Sequence, residues 1–191
     1  MTKFDEKEKL IIKELIRNPR LSDNQIGRKT GIPIKTVNRK RKKLESNNVL
    51  NYFTYVNHSP AGTEKMNAKQ LYLITYKRGL TRKYFIETVK HSEKLKDVGV
   101  RHILNSYLGE DNGQLVHIVI FESRVASDIL EIFNSDLLPE LSRLFGSDVV
   151  SNTKVIPITQ MIRVLHNYVL NLNLDNGIMK ADWPDHNIFI D

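Results

Sequence analysis

The sequence contains no cysteine, which excludes disulfide bonds, thiolate metal ligands and cysteine nucleophiles. No apolar run is long enough to span a bilayer, and the charged start, MTKFDEKEKL, does not resemble a signal peptide. These absences fit a cytoplasmic protein. A nucleophile motif, a glycine-rich phosphate-binding loop and carboxylates paired for acid–base catalysis are also missing. We therefore predict no catalytic residue and no cofactor, and we do not expect an enzyme.

Histidine occurs at six positions, but no two of them are spaced as metal ligands on one helical turn. His102 and His117 fall on strands that the pattern predicts to be neighbours. A metal or haem role for that pair is the less favoured alternative to two ordinary strand residues. We predict no metal site.

Positive charge is concentrated in the first third of the chain. Residues 1–60 contain 14 Lys and Arg against 6 Asp and Glu, a balance of +8, whereas residues 61–191 contain 15 against 16, a balance of −1. A basic segment joined to a nearly neutral body indicates a polyanionic partner for that segment.

Three helices and a strand are predicted in residues 1–57. The first helix covers residues 5–18, with Asp5 as N-cap, and ends before Pro19. The second begins with a capping box of Ser22 and Gln25 and ends at Gly31. The third covers residues 34–46, and LNYFTYV at 50–56 is typical of a strand. This order is that of a winged helix-turn-helix domain.

The third helix carries the residues expected to bind DNA. Six of the nine residues from 35 to 43 are basic. At about 100° per residue, Val37 and Leu44 face the other helices, and Arg41 is expected to extend past the core to solvent. The predicted contacts to phosphates and base edges are Lys35, Thr36, Asn38, Arg39, Lys40, Lys42 and Lys43. The alternative is a basic, solvated helix face without a partner.

A second domain is predicted at residues 69–162, after a polar linker at 58–68. Strands at 69–77, 98–108, 114–123 and 148–162, with helices at 81–95 and 124–146, give the order βαββαβ of a ferredoxin-like domain. The second helix is expected to bend near Pro139. Residues 163–191 form a C-terminal extension in which LDNGI could turn a hairpin. The predicted fold class is thus α+β.

The stretch from Asp5 to Val56 resembles the Lrp/AsnC family of transcription regulators. The resemblance is carried by the turn Asn18–Ser22, by Thr36–Lys40 on the third helix, and by Leu44–Glu45. It implies a βαββαβ second domain that assembles homodimers or higher homo-oligomers and, in many members, binds amino acids.

Three departures from the family pattern matter. Pro33 replaces a capping serine and Arg41 replaces an apolar residue. Of the family's effector motif, only Gly109 is retained within residues 107–112. The effector, if any, therefore stays unknown, and amino-acid sensing is not expected.

The combined prediction is a regulator that binds double-stranded DNA sequence-specifically through helix 34–46 and dimerises through its second domain. One alternative is a tetrapyrrole enzyme similar to the siroheme decarboxylases, which resemble the family in both domains but have a less basic third helix. Another is a DNA-packing protein of low specificity, which competition between specific and random DNA would distinguish.

Overall fold

A computed structural model describes residues 4–54 and 66–190 of the chain. The chain forms two compact units, Met1–Tyr55 with Gln160–Asp191, and Val56–Thr159. The C-terminal extension thus belongs to the same unit as the three N-terminal helices. Among the described residues, no helix is long and apolar enough to cross a membrane.

The three N-terminal helices are α1 (Glu6–Arg17), α2 (Asp23–Thr30) and α3 (Ile34–Ser46). The predicted capping box of Ser22 with Gln25 begins α2, and the predicted N-cap Asp5 begins α1, where Glu8 completes a second capping box. Gly31 ends α2 with φ 71°, a left-handed conformation that glycine adopts without a Cβ penalty. The helices bury Ile11, Leu15, Leu21, Ile26, Ile32 and Val37 together.

The strand predicted at residues 50–56 is not present in its described part. Asn51–Thr54 is irregular, and residues 55 and 56 lie outside the described residues. Asn48 turns the chain with φ 55°, and Phe53 is 86% exposed. In residues 4–54 this segment has no neighbouring strand to pair with, and strand propensity alone does not maintain an extended ladder.

The second unit has a four-stranded antiparallel sheet. Its elements are β1 (Ala68–Tyr76), α4 (Arg82–Val89), α5 (Glu93–His102), β2 (Ile103–Asp111), β3 (Gln114–Ser123), α6 (Ala126–Ile132), a π-helical turn (Phe133–Leu137), α7 (Leu138–Phe145) and β4 (Val150–Ile158). The strand order β2-β3-β1-β4 confirms the predicted ferredoxin-like topology. Its core includes Tyr72, Tyr76 and Phe121 from the sheet with Phe85 and Phe133 from the helical layer.

Two predicted elements of this unit differ from the structure. Residues 98–102 were expected in a strand but belong to α5, because Ser92 accepts a hydrogen bond from the Leu95 N–H and begins a new helix. Leu95 and Val98, three residues apart, then share the buried face of that helix. Near Pro139, where a bend was expected, a π-helical turn interrupts the helix and ends two residues before the proline. In it the Leu138 N–H donates to the Phe133 carbonyl.

The extension is built from short elements: β5 (Arg163–Leu165), β6 (Tyr168–Val169), α8 (Leu170–Asn173), β7 (Leu174–Asp175), β8 (Ile178–Met179) and a 3-10 turn (Asp185–Asn187). The predicted LDNGI hairpin is confirmed as β7 and β8. Asn176 and Gly177 form its two-residue turn with φ 47° and 77°, the positive angles that a type I′ turn requires.

Candidate nucleic-acid interface

Helix α3 has one buried side and one cationic side. Val37 is 0% and Leu44 5% exposed. Four basic residues are exposed, and within residues 4–54 and 66–190 their side chains have no ion pair or hydrogen bond; they are Lys35, Arg39, Lys42 and Lys43. Cations without an internal partner can neutralise an external anion without first breaking a contact in the protein.

The start of α3 also has donors to offer. Pro33 occupies the N-cap position and makes no side-chain cap hydrogen bond. The Pro33 carbonyl accepts from the N–H groups of Thr36 and Val37 at 2.8 and 3.0 Å, so the donors that the first turn can offer an anion are the N–H groups of Ile34 and Lys35. Thr36 is half-buried in this first turn. The end of α3 that would enter a groove therefore carries backbone donors as well as the Lys35 ammonium.

Two of the seven predicted DNA contacts are engaged inside the unit. The Asn38 amide donates to the Asp23 carboxylate at 2.7 Å, which joins α3 to the first turn of α2. The Lys40 ammonium donates to Asp5 and, at 3.3 Å, to Glu8, and its side chain is only 11% exposed. Lys40 thus connects α3 to the capping box of α1.

The ion pair of Lys40 shifts the ionisation of both partners. The hydrogen bond from Lys40 lowers the pKa of the Asp5 carboxyl below its ordinary value, and the same bond raises the pKa of Lys40. Each shift stabilises the charged form of its group. The pair therefore supports the packing of α3 against α1 across neutral pH.

Arg41 is held by a network instead of extending freely past the core. Its guanidinium donates to the Leu21 carbonyl at 2.9 Å, to Asp23 at 3.3 Å and to Glu45 at 3.0 Å. The Arg41 Cζ atom also lies 5.4 Å from the centre of the Tyr52 ring, whose hydroxyl donates to Glu45. The sequence signal for this network was Glu45, four residues after Arg41 on the same helix.

The sheet of the second unit has a face that its core does not use. Leu71 lies between Ile120 and Ile156 on neighbouring strands, and Leu73 lies beside Ile118. Leu71 and Leu73 alternate along β1 with Tyr72 and Ile74, which point into the core. Unlike Tyr72 and Ile74, the five aliphatic residues of this face do not belong to the core cluster. Ile156 is 40% exposed. A half-exposed aliphatic sheet face of this kind is a candidate protein interface.

The two histidines of the predicted strand pair do not meet. His117 lies opposite Leu108, while His102 ends α5. The His117 ring is buried, with Nε2 2.7 Å from the Ser106 Oγ and Nδ1 3.3 Å from the Tyr76 hydroxyl, and burial lowers its pKa to about 4. Among the described residues there is no group of three or more His, Asp and Glu that could hold a metal ion.

Known proteins resemble the N-terminal segment in sequence and most of the chain in fold. Residues 4–51 match the winged helix-turn-helix DNA-binding family. No curated protein matches the chain in sequence. Among solved structures, AsnC of E. coli covers 85% of this chain and 98% of its own, at 13% identity and a TM-score of 0.61. LrpC of B. subtilis covers 86% and 100%, at 16% identity and a TM-score of 0.60.

A third structure, NMB0573 from Neisseria meningitidis in complex with L-Met, covers 90% of this chain and 100% of its own, at 16% identity and a TM-score of 0.59. Since each of these likenesses covers 85% or more of the chain, each includes parts of both units. At such identities the likeness is one of fold.

Proposed function

Because the chain has the fold of the AsnC/Lrp regulators, with a winged helix-turn-helix DNA-binding segment at residues 4–51, we propose that it is a sequence-specific DNA-binding transcription regulator. The observation that carries the proposal is the cationic side of α3, where Lys35, Arg39, Lys42 and Lys43 are exposed without internal partners. DNA in the cytoplasm is the polyanion that this side fits.

The mechanism assigns different tasks to the two sides of α3. The exposed Lys side chains neutralise phosphates and set the orientation on the duplex. Arg39, near the middle of the helix, neutralises phosphate charge as well, and its bidentate fork can also face a guanine edge in the major groove. For Asn38 and Lys40 we propose a positioning role, because the Asn38 amide N–H donates to Asp23 and the Lys40 ammonium donates to Asp5 and Glu8.

Sequence specificity is tested by mapping bound DNA across the genome of the source organism, followed by competition binding. We expect a shared motif with two-fold symmetry and an affinity for it about 10³-fold or more above that for random DNA. A protein that binds motif and random duplexes equally would instead be a packing protein, and this result would refute the proposal.

We further propose that the protein works as a homodimer joined through the sheet face of Leu71, Leu73, Ile118, Ile120 and Ile156. A single recognition helix covers only a few base pairs, whereas a two-fold dimer places two helices on successive half-sites. Burying an aliphatic face in a self-complementary interface also removes that face from water.

A matched pair of substitutions on β4 tests this interface. Ile156 is 40% and Val155 42% exposed, and as neighbours on one strand they point to opposite faces of the sheet. We expect Ile156→Glu to give monomers in light scattering and Val155→Glu to leave the dimer intact. A dimeric Ile156→Glu protein would show that the sheet face is not the interface.

An amino-acid effector is not part of the proposal. The structure of NMB0573 contains L-Met, but residues 107–112 of this chain retain only Gly109 of the family's effector motif. We expect calorimetric titrations with L-methionine and L-leucine to show weak binding or none. A stoichiometric site of micromolar affinity would contradict this expectation.

A further inference from the structure

The C-terminal extension completes the end of α1. The Tyr168 hydroxyl donates to the Ile16 carbonyl at 3.0 Å, and the Arg17 guanidinium donates to the Trp183 carbonyl at 2.9 Å. Arg17 also pairs with Asp185. Carbonyls in the last turn of a helix have no intrahelical donor, so the Tyr168 hydroxyl satisfies a group that would otherwise require water. A segment about 150 residues distant thereby becomes part of the helix cap.

Helix α1 has a second apolar side that the other two helices leave uncovered. Ile11 and Leu15 belong to the cluster shared with α2 and α3, but Ile12 is outside that cluster and still only 6% exposed. Ile12 lies about 100° around the helix from Ile11. Strand β8 contacts α1, and Met179 and Ile188 of the extension are 4% and 5% exposed. The extension therefore supplies the packing that the second side requires.

The contact continues along the helix. Leu10 and Lys13 of α1 line one groove together with Ile188 and Ile190 near the end of the extension. These two helix residues, three apart, lie on the stripe that continues to Arg17. The extension thus follows α1 along its length.

Side-chain amides give the extension a defined shape of its own. Asn173 is fully buried, accepts from the Val169 N–H at 2.9 Å and donates to the Asn167 carbonyl at 2.7 Å. The Asn167 amide in turn exchanges two hydrogen bonds with the Phe189 backbone, at 2.9 and 2.7 Å. Buried polar groups that are satisfied in this way specify one conformation.

We propose that residues 160–191 are a positioning element of the DNA-binding unit: by holding α1, they fix the helix against which α3 is paired through Lys40. This inference rests on the proposed function. Residues 1–55 without the extension would expose Ile12 and leave the last turn of α1 uncapped.

The extension supports DNA binding without providing phosphate contacts. Residues 160–191 contain two Lys and Arg against four Asp, a balance of −2. An acidic segment does not release counterions from DNA. Loosening the extension should therefore weaken binding while the dependence of affinity on salt stays the same.

The test compares Ile188→Asp with Leu172→Asp in the full chain, because Ile188 is 5% and Leu172 54% exposed on the same extension. We expect Ile188→Asp to speed amide exchange throughout α1 and to weaken DNA affinity more than 10-fold at an unchanged salt slope. The conservative variant Ile188→Val and the control Leu172→Asp should both keep the amide exchange and the DNA affinity of the unmodified protein.

A milder variant covers the case in which Ile188→Asp does not fold. Tyr168→Phe removes only the hydroxyl that caps Ile16, and we expect roughly 2- to 10-fold faster exchange in the last turn of α1. The inference is overturned if Tyr168→Phe leaves that exchange unchanged, or if Ile188→Asp loosens α1 without weakening DNA binding. If the unmodified protein does not bind DNA, the proposed function fails, while the exchange data still decide whether the extension holds α1.

Discussion

Removing the charge of Arg39 and removing that of its neighbour Lys40 should affect different properties of the protein. Arg39 is exposed and has no internal partner among the described residues, whereas the Lys40 side chain is 11% exposed and bound to Asp5 and Glu8. Changing each to Gln removes one positive charge while keeping a polar side chain of similar length. Arg39→Gln should therefore alter DNA binding, and Lys40→Gln should alter stability.

The magnitude for Arg39 follows from counterion release. Four exposed cations on each α3 give about eight in a dimer, and these contribute about −7 to the slope of log affinity against log salt. Arg39→Gln removes two of the eight, so the slope should become about 2 units less steep. When the salt concentration rises fourfold, the affinity of Arg39→Gln should therefore fall by a factor about ten times smaller than that of the unmodified protein.

The magnitude for Lys40 follows from its charged hydrogen bonds. Removing the Lys40 ammonium should lower the free energy of unfolding by about 2 kcal/mol. The loss is smaller to the extent that the helix dipole of α1 stabilises the two carboxylates that remain. Since Lys40 holds the pKa of Asp5 below its ordinary value of 3.8, that pair contributes stability above about pH 4 and loses it as the pH falls through the lowered pKa. In Lys40→Gln the acid-induced loss of stability should therefore be smaller.

Fluorescence anisotropy with the mapped operator at several salt concentrations, together with thermal melting from pH 3 to 7, measures both quantities. A less steep salt slope in Lys40→Gln would refute the reasoning, because it would mean that Lys40 leaves its carboxylates for a phosphate. An unchanged slope in Arg39→Gln would mean that the cationic side of α3 does not face DNA.

Three further predictions concern the interior of each unit. Val37→Asp places an unpaired charge at a fully buried position and should lower the free energy of unfolding by about 3–5 kcal/mol. Ile34→Asp, at a 51% exposed position, should change it by less than about 1 kcal/mol. Equal melting temperatures of the two variants would mean that α3 is rotated. Burial lowers the pKa of His117 to about 4, so as the pH falls the unfolded chain protonates this histidine before the folded chain does. The free energy of unfolding of the second unit should therefore fall by about 2 kcal/mol between pH 7 and 5. His117→Gln should remove most of that pH dependence, and an unchanged pH profile would assign it to another group.

Local signals predicted where the three N-terminal helices begin and end. Both capping boxes and the glycine at the end of α2 depend on contacts within four residues, which a linear pattern contains in full. The βαββαβ order was likewise readable, because a ferredoxin-like sheet follows from the sequence of alternating elements and short hairpins.

Long-range side-chain contacts could not be read in the same way. At about 100° per residue, Lys40 lies roughly 50° from the side of Val37 and Leu44, so a helical wheel already turns it toward the interior. The wheel does not contain its partners, because Asp5 and Glu8 are more than 30 residues earlier in the chain. The segment VGVRH has the composition of a strand, yet burial of Leu95 and Val98 on one face keeps it helical. In the first place tertiary contacts supply partners that the local pattern does not contain, and in the second tertiary packing outweighs the local preference.

The pattern of α1 contained a clue to the extension. A helix that packs on one side of a three-helix domain needs a single apolar stripe, and Ile11 with Leu15 provides it. Ile12 and Ile16, about 100° away, exceed that need. Such an excess indicates a second covering segment, and the structure supplies it from residues 160–191.

This arrangement changes where the chain can be divided. The segment that carries the +8 balance ends near residue 60, but the segment that covers the second side of α1 begins only at residue 160. The sheet-bearing unit is therefore an insertion within the DNA-binding unit, and two chain segments connect them. Cutting at the polar linker would separate α1 from the segment that contains β8, Tyr168 and Ile188. A fragment that ends there keeps the cations of α3 and loses part of the packing that holds α1.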